Sequence, residues 1–204
     1  AGAVADVSTG EIYSAALGGG AHVRGPAGRR RLSCTGATDL GMTLLGTGFG
    51  YAPDRRTVQG RLLAQLLPQV RDVRRLGSAA LDLCMVAAGR LDAHYEHGLN
   101  VWDWAAGALI AAEAGAVVRL PAPGEPLGLT LAAAPGVADA PLRLPGPSRP
   151  RPNRPRSPST AFSRRANSRR NDLRHCVGAG ARRTISPSNL RPTVVPVRTW
   201  FGTI

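Results

Sequence analysis

The chain has 204 residues, with 26 Arg, no Lys and 13 acidic residues, so its formal net charge is +13. Residues 1–146 hold 13 Arg against 12 acidic residues, a net charge of +1, whereas residues 147–204 hold 13 Arg against one Asp, a net charge of +12. This division excludes a uniformly basic globular domain.

Targeting and redox signals are few. No run of about 18 or more apolar residues occurs, so we expect no membrane span, and no secretory signal is recognisable. Three scattered cysteines, Cys34, Cys84 and Cys176, form no C-x-x-C pair. An odd, sparse set argues against a disulfide framework and indicates a reducing compartment, so we expect a cytoplasmic protein.

The charge division also predicts two parts, a globular domain at 1–146 and a tail at 147–204. The tail is crowded with Pro, Arg, Ser and Asn and shows little periodicity, which is typical of disorder. Its arginines predict non-specific binding to nucleic-acid phosphates, with an affinity that falls as salt rises. No motif for RNA or DNA binding accompanies them.

The first part of the chain indicates strands and turns. Two apolar segments, 2–7 and 11–17, are joined by Ser8-Thr9-Gly10, which predicts a hairpin. Three glycines at 18–20 favour a flexible turn over a phosphate cradle, because the Lys-Ser/Thr of a P-loop is missing. Residues 24–31 are rich in Arg and predict a basic loop.

From residue 42 onward, strands and helices alternate. Strands are predicted at 42–45, 70–73, 91–96, 117–120 and 127–133, and helices at 54–67, at 81–88 and from Asp103. The order is therefore strand, helix, strand, helix, strand, helix, strand, strand. Such alternation predicts a layered α/β arrangement in which helices cover a sheet.

Three places in this pattern carry polar groups suited to binding. Asp103 stands at a helix start between two tryptophans, where it either caps the first turn or ligates a hard cation such as Mg²⁺. Gly77-Ser78-Ala79 begins another helix and offers backbone N–H groups to an anion or a hydroxyl. Glu96 lies near a strand end, with His94 on the same face of the strand.

Two other chemistries are disfavoured. His94, Glu96 and His97 suggest zinc, but strand geometry puts His97 on the opposite face, and no further ligand follows at a recognised spacing. The nucleophile elbow G-x-S-x-G is absent, so Gly77-Ser78 does not indicate a serine hydrolase.

The residues carry a resemblance to a known family. Val101 to Gly115, V-W-D-W-A-A-G-A-L-I-A-A-E-A-G, resembles the C-terminal signature of the inositol monophosphatase family, W-D-x-A-A-G-x-x-I-x-x-E-A-G. Val73 to Glu96 resembles the family's preceding segment, and residues 3–21 resemble its mid-chain hairpin. The resemblance covers about Gly2 to Leu144 and implies the C-terminal part of a sugar-phosphatase-type α/β sandwich.

The resemblance implies a Mg²⁺-dependent phosphomonoesterase for inositol monophosphate or a related sugar or polyol phosphate. In this family, clustered metal ions activate a water as the nucleophile. Asp103 matches a metal ligand, Glu96 matches the acid that contacts substrate hydroxyls, and Gly77, Ser78 and Ala79 match a substrate-binding helix start. Dimers are common among such proteins, which implies a possible homodimer.

The chain also departs from the family. The upstream Glu-containing segment and the D-P-x-D-G-T motif, which carry the catalytic residues and the other metal ligands, do not occur. One carboxylate cannot hold a magnesium cluster, since Mg²⁺ demands near-octahedral oxygen ligation. We therefore expect an incomplete enzyme with little or no activity alone. The alternatives are an inactive remnant that serves as an interaction module, and a nucleic-acid-binding protein that acts through its tail.

Overall fold

A computed structural model describes residues 1–125 and 127–138. The predicted tail and the predicted domain boundary at 146/147 lie outside these residues and stay predictions. The elements are, in chain order, β1 (Gly2–Asp6), β2 (Glu11–Ala16), β3 (Gly20–Gly25), β4 (Gly28–Arg31), β5 (Leu44–Thr47), α1 (Pro53–Leu66), β6 (Asp72–Arg74), α2 (Ala79–Ala87), β7 (Ala93–His97), α3 (Val101–Glu113), β8 (Val117–Arg119), β9 (Leu129–Ala133) and α4 (Pro135–Ala138), with 3-10 turns at Leu40–Met42 and Leu67–Gln69. No helix in the described part of the chain has the length and apolar character needed to cross a bilayer.

The first sheet is antiparallel, in the order β1-β2-β3-β4. The predicted hairpin at Ser8-Thr9-Gly10 is confirmed, since Gly10 donates to the Asp6 carbonyl at 2.9 Å and has a φ of +69°. The predicted basic loop at 24–31 is wrong: β3 and β4 form a second hairpin in which Gly25 pairs with Gly28. All four residues of β4 are exposed, and charged side chains are well suited to such an edge strand.

The second sheet has the order β6-β5-β7-β9-β8. β6, β5 and β7 are parallel, while β9 runs antiparallel to both β7 and β8. The predicted order of strands and helices from residue 42 onward is confirmed, with element ends displaced by a few residues.

Helices α2 and α3 lie between the two sheets. One core joins Tyr13 of the first sheet, Leu83 and Ile110 of the two helices, and Ala132 of the second sheet. A second core lies on the other face of the second sheet, against residues of α1 and α4. The described residues thus form a layered α/β fold, as predicted, in which α2 and α3 pack between the two sheets.

Candidate substrate and metal site

The two helix starts that carry candidate residues are held together by close packing of α2 against α3. A Cβ placed on Gly107 of α3 would lie 2.8 Å from Leu83 Cβ and 3.1 Å from the Ala80 carbonyl oxygen of α2. Only a residue without a side chain fits at this distance. Because Gly107 is one turn after Asp103, this contact sets the spacing between the first turns of the two helices.

The start of α2 is formed by three of the predicted site residues. Gly77 has a φ of +97°, a conformation that glycine adopts without strain. Ser78 is the N-cap, and its side-chain oxygen accepts from the Leu81 N–H at 3.4 Å. Ala79 is the first helical residue. The Ser78 hydroxyl therefore serves the helix, while the segment still presents backbone N–H groups at a helix start.

The helix predicted from Asp103 begins two residues earlier, at Val101, and Asp103 lies inside its first turn, where it takes part in capping. The N-cap is Asn100, and Asp103 is the third helical residue. Its Oδ2 accepts from the Asn100 backbone N–H at 2.9 Å, which is the return bond of a capping box. The capping bond uses Oδ2 only, and Oδ1 takes no part in it.

Glu96 lies near the end of β7 with its carboxylate against the backbone of Gly48. A Cβ on Gly48 would overlap that carboxylate. Burial raises the pKa of Glu96, the Asp103 charge adds to this rise, and the charges of Arg75 and Arg55 oppose it. The structure thus brings Glu96 and Asp103 into one electrostatic environment.

The two arginines beside Glu96 were not predicted as site residues. Arg75 Nη1 lies 3.0 Å from the Cβ position of Gly77, and its place two residues before Gly77 is a signal that could have identified it. Arg55 Nη1 donates to the Gly98 carbonyl at 3.4 Å, from a position 43 residues away in sequence. No local pattern points to that contact.

Oxygen donors suited to a hard cation occur among the described residues. The Asp103 carboxylate is a hard oxygen donor of the kind that Mg²⁺ prefers, and burial together with the charge of this carboxylate raises the pKa of Glu96. Within residues 1–125 and 127–138, however, no group of three or more His, Cys, Asp or Glu side chains is placed to hold a metal ion. A complete octahedral site therefore needs ligands beyond these residues.

The two histidines of β7 point to opposite faces, as predicted. His94 is fully buried, with Nδ1 3.8 Å from Asp82 Oδ2. His97 makes an edge-on ring contact with Tyr95, at 6.5 Å between centroids. These positions do not bring the two imidazoles to one metal ion.

The glycine-rich turn at 18–20 binds the side-chain carboxylate of Glu113, the last residue of α3. The N–H groups of Gly18 and Gly20 each donate to the Glu113 carboxylate at 2.8 Å. Both glycines have a φ above +70°. The turn is confirmed, and its N–H groups hold α3 against the first sheet.

A family model described as the inositol monophosphatase family matches residues 1–148. The chain belongs to the inositol monophosphatase family. It is 64% identical over 143 residues to an inositol-1-monophosphatase of Mycobacterium leprae, covering 69% of this chain and 49% of the relative. It is 43% identical over 116 residues to a Nus factor SuhB of Escherichia coli, covering 56% of this chain and 42% of that protein.

A solved structure supports the family fold. Mycobacterium tuberculosis SuhB is 62% identical, with a TM-score of 0.65, and the match covers 70% of this chain and 56% of that chain. The chain spans about half the length of the curated inositol-1-monophosphatases that it matches.

Proposed function

We propose that the protein is a Mg²⁺-dependent phosphomonoesterase acting on inositol monophosphate or a related sugar or polyol phosphate, and that this chain supplies part of its site. The observation that carries the proposal is that Glu96 lies within reach of the charges of Asp103 and of Arg75, which is next to the α2 start. When bound, Mg²⁺ would polarise the phosphate and activate the attacking water.

Each site residue of the chain has a defined role in this proposal. Asp103 binds the metal ion through the carboxylate oxygen that the capping bond leaves available. Glu96 accepts a hydrogen bond from a substrate hydroxyl, and Arg75 favours its ionised form against the effect of burial. The N–H groups of Gly77, Ser78 and Ala79 orient the substrate, because a helix start favours bound oxygen atoms with negative charge.

The test combines metal binding with turnover. Mn²⁺, a paramagnetic substitute for Mg²⁺, is titrated into the full chain, and the amide NMR signals are followed. We expect broadening near Asp103 and Glu96 that is lost in Asp103→Asn. Asp54→Asn is the matched control, since Asp54 is an exposed acid in the first turn of α1. Broadening that survives Asp103→Asn would contradict the metal role.

Phosphate release from inositol 1-phosphate with Mg²⁺ tests whether the chain suffices. Because a magnesium site needs several oxygen ligands, the single ligand Asp103 predicts little or no turnover by the chain alone. Turnover that depends on Asp103 would show that the ligands present are sufficient.

A second candidate function rests on the net charge of +12 on residues 147–204. We propose that this segment, in a protein of the cytoplasm, adds weak, non-specific binding to nucleic acid through phosphate contacts. Removal of residues 147–204 should abolish the salt-dependent binding. Binding that survives the removal would exclude the segment as its source.

A further inference from the structure

A row of polar side chains runs from the candidate site into the core along one face of the second sheet. Gly46 pairs with His94 across β5 and β7, and Glu96 pairs with Thr130 across β7 and β9. Because side chains alternate along a strand, His94 and Glu96 share a face. Asp82 of α2 lies against this face, with its Oδ2 3.8 Å from His94 Nδ1.

Asp82 and His94 are buried, and several of their polar atoms lack hydrogen-bond partners. Asp82 is 1% exposed and His94 is 0% exposed. Within the described residues, neither Asp82 Oδ1 nor either ring nitrogen of His94 has a hydrogen-bond partner. Buried polar groups without partners are costly. A function for the pair would explain why this core holds an acid and an imidazole.

Burial favours a single proton on the pair of Asp82 and His94. Burial lowers the pKa of His94 to about 4. Burial, and secondarily the Glu96 charge, raises the pKa of Asp82 to about 7, while Arg75 opposes that rise. Between these values, the folded protein keeps a proton on Asp82, and the neutral imidazole beside it can accept a hydrogen bond.

The two residues connect the two parts of the candidate substrate site. Asp82 is one helical turn after Ser78, and its N–H donates to the Ser78 carbonyl at 2.9 Å. His94 precedes Glu96 by two residues on the same strand face. The contact between Asp82 and His94, at 3.8 Å between Oδ2 and Nδ1, therefore links the α2 start to the strand end that carries Glu96.

We propose that Asp82 and His94 are positioning residues that share one proton across the contact between α2 and β7 and thereby hold Glu96 in place relative to the Gly77–Ala79 segment. The substrate role of this positioning rests on the proposed function. The shared proton is a property of the chain itself.

The pH dependence of stability separates this pair from ordinary core packing. The unfolded values are 3.8 for Asp82 and 6.5 for His94. Between pH 4 and 6.5, the folded chain holds the extra proton on Asp82 and the unfolded chain holds it on His94. The two contributions oppose each other, so the pair adds little slope in the unmodified chain.

Single substitutions should expose opposite slopes. In His94→Phe only Asp82 remains, so stability should fall as pH rises from 4 to 7. In Asp82→Asn only His94 remains, so stability should rise from pH 4 to 6.5. Each slope should approach about tenfold in the unfolding equilibrium constant per pH unit. Urea denaturation of each variant and of the unmodified chain at half-unit pH steps measures both slopes. In the double variant, which lacks both titrating groups, neither slope should remain.

If each single variant has a profile of stability against pH that is parallel to that of the unmodified chain, the proposal is overturned. A second measurement needs no variant: ¹⁵N NMR of the unmodified chain should show His94 neutral from pH 5 to 7. An imidazole that titrates with the ordinary midpoint of about 6.5 would equally overturn it.

A last measurement separates this proposal from the proposed function. Inositol 1-phosphate is added to the unmodified chain and the Glu96 amide signal is followed. Opposite slopes without a ligand-induced shift would support the shared proton and count against the proposed substrate site. A ligand-induced shift with parallel profiles would support the substrate site and overturn the pair.

Discussion

Replacement of Gly107 by Ala should separate the two helix starts of the candidate site. The new methyl group would meet Leu83 Cβ at 2.8 Å, Leu83 Cδ1 at 2.9 Å and the Ala80 carbonyl oxygen at 3.1 Å. Two of these three atoms are a backbone oxygen and a Cβ, which cannot rotate away. Helix α2 must therefore move relative to α3, and the Gly77–Ala79 segment must move with it.

The magnitude follows from two opposing effects. An extra methyl group in a packed interface costs about 1–3 kcal/mol, while Gly→Ala inside a helix gains about 1 kcal/mol of propensity. We expect Gly107→Ala to lower the free energy of unfolding by up to about 2 kcal/mol. Gly60→Ala is the matched control, because Gly60 lies in α1 and nothing lies within 4 Å of its Cβ position. It should raise stability by about 1 kcal/mol.

Urea denaturation of both variants measures the effect, and the difference between them isolates the packing cost, because the propensity gain cancels. Amide NMR of Gly107→Ala should show shifts at Gly77 and Ser78 that Gly60→Ala lacks. Equal changes in stability in both variants would refute the close approach of α2 and α3.

Two further predictions concern contacts around the site. Gly48→Ala should displace the Glu96 carboxylate, which its methyl group would overlap, and so abolish the inositol 1-phosphate shift of the Glu96 signal; an unchanged response would contradict the contact. Glu113→Gln should weaken one of the bonds to Gly18 and Gly20, lower stability by about 1 kcal/mol and speed amide exchange at both glycines; unchanged exchange would contradict that role.

The sequence predicts the fold where local pattern and packing agree. The period-two alternation of β7 places His94 and Glu96 on one face and His97 on the other, because strand geometry alone decides it. The helical spacing of Leu81, Cys84 and Met85 likewise predicts α2, with Cys84 and Met85 buried. In each case the prediction depends only on residues that are close to one another in the sequence.

Contacts between distant segments explain the failures. The arginine-rich stretch predicted a loop because composition does not show that Gly28–Arg31 pairs with β3. Arg55 reaches Gly98 only because the chain folds back over 43 residues. Such encounters depend on tertiary structure, which single-sequence patterns do not encode.

The charges of the candidate site argue that metal and phosphate bind together. Asp103 and Glu96 contribute two negative charges, and Arg55 and Arg75 contribute two positive charges. A phosphate monoester carries a charge of about −2 near neutral pH. Binding of the ester together with Mg²⁺ therefore leaves the net charge of the site unchanged. Binding of the ester alone or of Mg²⁺ alone leaves an uncompensated charge. We therefore expect inositol 1-phosphate to tighten Mg²⁺ binding, and Mg²⁺ to tighten binding of the ester by the same factor. Calorimetric titration of Mg²⁺ with and without the ester measures this factor, and equal affinities in the two titrations would contradict it.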